Sequence, residues 1–296
     1  RLYLKDREIK NLILMGDFLT ETIFREERQD NIITRAEFEK RYENTVYKTE
    51  TSLSEEMDID PEYAALIVPT MVICKDFMDL FNAEALWMPG VSLLDGIAYD
   101  FGEKKNFIKS AHNFENDILA CAQNIAKRYM SSKSHVRAVL KVAETIFDSM
   151  RRVHGMGPRE RLLLQIAVIL HDCGKYVSLS ESPENAYHII MSSEIIGLTH
   201  QEREIVAMVV LYNTLPLDPY EELSDRLSED DYLCVAKLSA ILRVANALDQ
   251  SHKQKFKNIR ITVKERNLVF TVEAFEDISL EEALFEAKTA YFENIY

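Results

Sequence analysis

Apolar residues recur at helical spacing through the middle of the chain and alternate with polar residues near its end. In residues 118–129 and 136–150 they share one face of a predicted helix, in steps of three and four. Over residues 259–263 the period becomes two, and a second alternating segment follows at 268–272. The pattern therefore predicts a helical middle, then a β-hairpin and a last helix capped by Ser279.

The first part of the chain mixes short apolar runs with a longer helical pattern. Residues 11–16 form an apolar run that ends in Gly, which predicts a buried strand entering a turn. Asp60 and Pro61 predict the start of a long apolar helix, and residues 85–88 predict another strand before a Pro-Gly stop. Strand, turn and helix in this order predict a sheet flanked by helices.

Three parts follow from these patterns, and the predicted fold class is mostly α with an α/β N-terminal part. We expect the parts to be residues 1–108, 109–255 and 256–296. The last is a β-hairpin with a helix, which is too small to be stable alone. Within the helical part, the acidic, proline-bearing stretch 216–231 lacks periodicity and predicts a mobile loop.

Composition narrows the class of protein. The chain has 296 residues, 47% hydrophobic and 28% charged, which is typical of a soluble globular protein with more than one core. No apolar stretch is long enough to span a bilayer. The four scattered cysteines form no C-x-x-C pair, which favours reduced thiols in the cytoplasm. Because the chain starts at Arg1 without an initiator Met, we expect it to begin inside a longer protein.

Charge is distributed unevenly. The net charge of -14 disfavours binding to nucleic acid or acidic membranes, so we expect no membrane and no sequence-specific nucleic-acid partner. Yet residues 127–161 hold nine basic and three acidic side chains, and a second basic run, residues 253–266, begins with Lys253, Lys255 and Lys257. The two runs are either solvated faces or the walls of a groove for a polyanion, and the sequence leaves both open.

The candidate chemistry centres on His171 and Asp172, which close an apolar run over residues 162–170. An isolated His-Asp pair usually belongs to ordinary surface or core residues with satisfied hydrogen bonds. Here His135 heads the preceding amphipathic segment and Asp249 lies near the end of a later one. This ordered set resembles the metal site of the HD-domain phosphohydrolases, and the resemblance implies that His135, His171, Asp172 and Asp249 converge on one divalent cation.

A wider resemblance covers essentially the whole chain. It is carried by residues 8–13, 87–90 with 95–98, 170–176, 194–198 and 242–249. These segments are similar to the C-terminal part of the exopolyphosphatase / guanosine pentaphosphate phosphatase family. The resemblance implies the closing half of a second actin-like (ASKHA) domain, then an HD-type helical domain and a small C-terminal piece. It also implies a homodimer.

Members of that family hydrolyse polyphosphate or guanosine pentaphosphate between two actin-like domains, with Mg²⁺, glycine-rich phosphate loops and a catalytic glutamate. None of these elements is recognisable in this sequence, so no catalytic residue for polyphosphate hydrolysis is assigned. The resemblance also has departures, because Asn185 and Asn213 stand where relatives often have histidine. This weakens a second metal position, for which His188 is a possible substitute, although a histidine in such a place is more often an ordinary surface or structural residue.

The metal and its surroundings can be anticipated from chemistry. Imidazole combined with carboxylate favours Mn, Fe, Ni or Zn over Ca. Lys175, just past the His-Asp pair, and Arg243, two turns before Asp249, are the nearest candidates to bind phosphate oxygens. For Arg243 an ion pair with a helix neighbour is the alternative.

Three functions of different classes remain open. The chain is the C-terminal portion of an exopolyphosphatase-type phosphohydrolase, or an independent HD-type metal-dependent phosphohydrolase on a nucleotide or phosphate ester. The third alternative is a non-catalytic module for dimerisation and polyanion binding.

Overall fold

The computed structural model describes residues 8–16, 31–109, 112–265 and 267–296. The chain divides into two compact units, Arg1–Ala111 and His112–Tyr296, each with its own buried apolar core. None of the described helices is long and apolar enough to cross a membrane. The first unit contains strands β1 (Asn11–Ile13), β2 (Ile32–Thr34) and β3 (Ala85–Trp87) and helices α1 (Arg35–Thr45), α2 (Glu50–Met57), α3 (Pro61–Phe81) and α4 (Leu93–Lys104).

The first unit is a small sheet with helices, as the apolar runs predict. The strand order is β1-β3-β2, with β1 parallel and β2 antiparallel to β3. Asp60 caps α3 by accepting a hydrogen bond from the amide of Glu62 at 2.9 Å. The prediction of a buried first strand is wrong, since Ile13 is 57% exposed. Its position explains this, because among the described strands β1 lies at the edge of the sheet and pairs only with β3.

The second unit is built around one helix that is buried along most of its length. Its helices are α5 (Phe114–Arg128), α6 (Lys133–Ser149), α7 (Arg151–His154), α8 (Pro158–Leu170), α9 (Ser182–Met191), α10 (His200–Leu211), α11 (Tyr220–Leu223) and α12 (Glu229–Ala247), with a 3₁₀ turn at Cys173–Tyr176. Helix α8 is apolar on almost every side, and α5, α6, α10 and α12 pack around it. The end of α8 is therefore held in place from several directions.

The C-terminal segment is joined closely to this helical core. Strands β4 (Phe256–Lys264) and β5 (Asn267–Ala274) form an antiparallel hairpin, and α13 (Ser279–Ile295) packs along α12. Glu281 of α13 is 1% exposed and accepts hydrogen bonds from Ser251 and Lys255, which lie in the loop after α12. The hairpin and helix thus belong to the same compact unit as the bundle.

Two local predictions in this unit are wrong. Ser279 is the first residue of α13 and not its cap, since the Asp277 carboxylate accepts the hydrogen bond from the Ser279 amide at 3.0 Å. The stretch 216–231 is not a featureless loop, because it contains α11 and the start of α12. Leu223 and Leu227 are buried in the core, and Asp218 accepts a hydrogen bond from the Tyr212 hydroxyl at 2.7 Å. These contacts depend on the tertiary structure, which the periodicity of apolar residues does not predict.

The close packing of the 3₁₀ turn on α9 gives a test of the fold. A Cβ on Gly174 would overlap the Ser182 carbonyl and the Ala186 amide nitrogen, both backbone atoms that cannot rotate away. We expect Gly174→Ala to lower the free energy of unfolding by about 3 kcal/mol. Gly155→Ala is the control, because that site has φ +69 but no atom within 4 Å, so the cost should be about 1 kcal/mol. Urea unfolding followed by circular dichroism measures both, and equal losses would contradict the packing described.

Candidate metal centre

Three helix ends meet at one buried point of the second unit. His135 lies in the first turn of α6, where Ser132 caps the helix. His171 ends α8 with Asp172 directly after it, and Asp249 follows the end of α12. The side chains of all four are buried. The C-terminal ends of α8 and α12 add negative partial charge, which favours a cation here.

The protonation pattern of the two histidines is fixed by their outer partners. Nδ1 of His171 lies 2.7 Å from the Val168 carbonyl, which can only accept, so this nitrogen donates. Nδ1 of His135 donates to the Asp249 carboxylate at 2.8 Å. The two Nε2 atoms then face each other at 3.2 Å, and burial lowers the pKa of His171. The Nε2 lone pair of neutral His171 therefore points into the space that this nitrogen shares with Nε2 of His135.

Asp172 completes the electron-rich side of this space. Its carboxylate oxygens lie 3.4 Å from Nε2 of His171 and 3.8 Å from Nε2 of His135. Burial alone would raise the pKa of Asp172, but the ammonium of Lys175, 2.7 Å from Oδ1, outweighs it and holds the pKa below its usual range. The group is therefore a carboxylate, able to neutralise a bound cation.

The donor set fits a divalent metal ion. Ligand atoms that share an ion at about 2.0–2.2 Å are themselves roughly 3–3.5 Å apart. The separations between Nε2 of His135, Nε2 of His171 and the Asp172 oxygens, 3.2 to 3.8 Å, are close to that spacing. Two imidazoles and a carboxylate suit Zn²⁺, Fe²⁺ or Mn²⁺. Both Nδ1 atoms already have partners, which is the usual arrangement behind metal-binding histidines.

Asp249 lies beside the other three residues, and its carboxylate accepts hydrogen bonds from two neighbours. One of its oxygens accepts from His135 Nδ1, and both accept from Gln254, at 2.7 Å from the amide and 3.0 Å from the side chain. Burial raises the pKa of Asp249, yet these bonds from His135 and Gln254 outweigh it and lower the pKa. Asp249 therefore orients His135 from behind.

One residue at the site was missed by the sequence analysis. The ring of His252 is stacked on that of His135, with centroids 3.6 Å apart and planes 6° from parallel. Its Nε2 lies 3.7 Å from Asp172 Oδ2, and burial lowers its pKa. One ligand atom each from His135, Asp172 and His252 lies within 4.8 Å of the other two. The position of His252, three residues after Asp249 and just past a helix end, is the sequence signal that could have identified it.

The two candidates for phosphate binding differ in availability. Lys175 Nζ lies 2.7 Å from Asp172 Oδ1 with its side chain 40% exposed, so its ammonium stands at the rim of the site. Arg243 is buried, donates to the carbonyls of Tyr212 and Leu215, and lies 4.0 Å above the Tyr291 ring. The guanidinium of Arg243 is thus held by these groups inside the fold, and its binding of phosphate stays a prediction.

Other residues near the His-Asp pair have structural roles. Cys173 is buried, and burial raises its thiol pKa to about 12, which keeps it protonated at neutral pH. His188 is exposed on α9 against the ring of Tyr187, and does not join the cluster. Asn185 Nδ2 and Asn213 Oδ1 are buried atoms with no hydrogen-bond partner among the described residues. His188 therefore offers no imidazole to a second metal position in this structure.

Several basic side chains of the two runs form ion pairs within the fold. In the first run Arg159 binds Glu202 in a bidentate contact, and Arg161 pairs with Asp148. In the second run Lys255 pairs at 2.9 Å with the buried Glu281, while Lys253 and Lys257 are exposed. Arg266 lies outside the described residues. The charge of Lys255 is therefore compensated inside the fold, and a polyanion groove lined by Lys253, Lys255 and Lys257 stays a prediction.

The helical unit with this buried site is similar to a known phosphatase domain. The profile of Ppx/GppA phosphatase, domain III matches residues 119–289, and this stretch contains every member of the cluster. Because the match covers more than half of the chain, the chain belongs to the Ppx/GppA phosphatase family. The resemblance to the C-terminal part of that family is confirmed.

The role of Asp249 can be separated from that of a ligand by metal titration. We expect Asp249→Asn to weaken Co²⁺ binding about 10–100-fold, because His135 loses the partner that orients it. The shape of the Co²⁺ absorption spectrum should persist, since the atoms around the ion are the same. Asp230→Asn, on the exposed first turn of α12, is the control and should bind normally. A changed spectrum in Asp249→Asn would instead make Asp249 a direct ligand.

The lysines of the second run should separate into two groups. Lys255→Met should lower the free energy of unfolding by about 3 kcal/mol, because Glu281 loses its cation while buried. Lys253→Glu and Lys257→Glu should each cost less than about 1 kcal/mol.

If the exposed pair belongs to a polyanion surface, the double reversal weakens polyphosphate retention and reduces its salt dependence. Unchanged retention would leave these lysines as ordinary solvated surface.

Proposed function

We propose that the chain is the C-terminal portion of a phosphohydrolase that cleaves phosphoanhydride bonds of inorganic polyphosphate, with guanosine pentaphosphate as the related substrate. In this proposal residues 1–108 close a second actin-like domain, residues 109–255 are an HD-type domain, and residues 256–296 support it. Family membership supports a phosphate-bearing substrate. We further propose a cytoplasmic homodimer, with Mg²⁺ at the cleft of the actin-like domains.

The proposal also assigns a metal centre to the helical unit. The observation behind it is the pair of Nε2 atoms of His135 and His171, 3.2 Å apart beside Asp172, with both Nδ1 atoms already bound elsewhere. A divalent cation supplies water activation and Lewis-acid polarisation of a phosphoryl oxygen. Asp249 keeps His135 aligned. Lys175 stands at the rim of the site, 2.7 Å from Asp172 Oδ1, where its ammonium would bind a phosphate oxygen.

A second candidate function has its own support. The residues of the cluster and the partners named above all belong to the second unit, and His135, His171, Asp172 and Asp249 are buried in it. A site assembled in this way supports an independent metal-dependent phosphohydrolase acting on a nucleotide or phosphate ester. The non-catalytic alternative, a module for dimerisation and polyanion binding, has weaker support because Lys255 and two arginines of the basic runs are paired internally.

Two assays on the chain and the longer protein decide between the candidates. We expect the chain alone to release little phosphate from long polyphosphate, because positioning and electrostatics of a complete cleft supply nearly all phosphoryl-transfer catalysis. The longer protein should release it, whether or not His171 is present. Robust release by the chain alone that persists in His171→Ala would contradict the proposal.

The independent site predicts the opposite dependence on His171. Hydrolysis of p-nitrophenyl phosphate by the chain should require added Mn²⁺ or Zn²⁺ and fall about 100-fold or more in His171→Ala. The control is His188→Ala, an exposed α9 histidine, which should retain full activity. Absence of metal-dependent turnover, with metal still bound by the wild-type chain, would leave the centre structural and favour the polyphosphate proposal alone.

A further inference from the structure

The geometry points to His252 as a fourth metal ligand, which joins His135, His171 and Asp172 to make a site of three imidazoles and one carboxylate. This inference rests on the metal centre proposed above and specifies its composition. It assigns a role to a residue that lies beyond the ordered His, His-Asp, Asp set.

The first support is the rigid presentation of His252. Its amide donates to the Asp249 carbonyl at 2.9 Å, and its carbonyl accepts from the Gln254 side chain at 2.7 Å. The same Gln254 amide group donates to the Asp249 carboxylate at 3.0 Å. One glutamine thus ties the His252 backbone to the residue that orients His135. A metal-binding side chain needs this kind of support, because a ligand misplaced by an ångström binds poorly.

The loop is also held from its outer side by the C-terminal helix. Glu281 of α13 accepts hydrogen bonds from Ser251 and Lys255, the residues on either side of the His252 segment. Burial raises the pKa of Glu281, but the bonds from Ser251 and Lys255 outweigh it and lower the pKa, so the carboxylate stays ionised. The position of His252 therefore depends on contacts from two directions.

The second support is the placement of the ring. His252 is parallel to His135 at 3.6 Å, and its Nε2 is 3.7 Å from the same Asp172 oxygen that lies 3.8 Å from His135 Nε2. The Nε2 atoms of His135 and His252 therefore lie at similar distances from one carboxylate oxygen. Because the stacked rings lie in parallel planes, the binding of one ion by both requires the His252 ring to rotate about its Cβ–Cγ bond, a torsion with broad preferences. With its side chain 31% exposed, His252 stands on the solvent side of a cluster whose other members are buried.

The composition has a consequence for metal choice. Three nitrogens and one carboxylate oxygen favour Zn²⁺, Co²⁺, Ni²⁺ or Fe²⁺ over Mg²⁺ and Ca²⁺, which prefer oxygen ligands. The helical unit would then bind a different class of metal from the Mg²⁺ of the actin-like cleft. Removal of His252 should lower the affinity for Co²⁺ and Zn²⁺ and change the ligand field.

The test uses His252→Gly, for a structural reason. His252 has φ 57, a conformation that glycine adopts without strain, so the substitution removes the imidazole and preserves the loop. Because the side chain is partly exposed, the vacated space is open to solvent and to added imidazole. Co²⁺ titration of the chain, followed by visible absorption and calorimetry, reports stoichiometry, affinity and ligand field without any assay of activity.

The expected result has three components. The wild-type chain binds one Co²⁺; His252→Gly binds it about tenfold or more weakly with an altered spectrum; and free imidazole restores both. His188→Ala is the matched control and keeps wild-type affinity. If His252→Gly binds Co²⁺ within about twofold of wild type with an unchanged spectrum, His252 is a stacking residue only and the inference is overturned. If the wild-type chain binds neither Co²⁺ nor Zn²⁺, the proposed metal centre itself fails.

Discussion

The hydrogen bond between His135 Nδ1 and Asp249 is the contact on which the site depends. It joins residues 114 positions apart, one at the start of α6 and one after α12, and both partners are buried. Because Nδ1 of His135 donates this hydrogen bond, Nε2 of the same ring faces His171. Removing one partner of such a buried pair costs about 3–5 kcal/mol, because the other charge remains without compensation. The same contact therefore holds two helices together and sets the direction of the metal-facing nitrogen.

The C-terminal hairpin and helix take part in this arrangement. Helix α13 packs on α12, and its Glu281 holds the loop that contains Gln254 and His252. Gln254 in turn donates to Asp249. Residues 256–296 therefore support the centre through a chain of buried polar contacts, in which each donor has an acceptor. A segment too small to fold alone can be stable here because its polar groups are satisfied by the bundle.

The charge distribution is consistent with a phosphate-handling protein of net charge -14. Local fields at a cleft, not the net charge, govern the capture of an anion. At the metal centre the positive groups are few, with Lys175 at the rim and the ends of α8 and α12 contributing negative partial charge. In the proposed function, a bound cation would therefore supply most of the positive charge that attracts an anionic substrate.

Sequence alone determined the features that depend on local chemistry. The apolar content of α8 predicts its burial, Asp60 and Pro61 predict the start of α3, and the order of His135, His171, Asp172 and Asp249 predicts one site. Tertiary structure decided which atoms face inward. Asp249 accepts a hydrogen bond from His135, Arg243 donates to buried carbonyls and Lys255 pairs with Glu281, while His252 lies beside the cluster. The reason is physical: the direction of a polar side chain is set by partners distant in sequence, and periodicity contains no information about them.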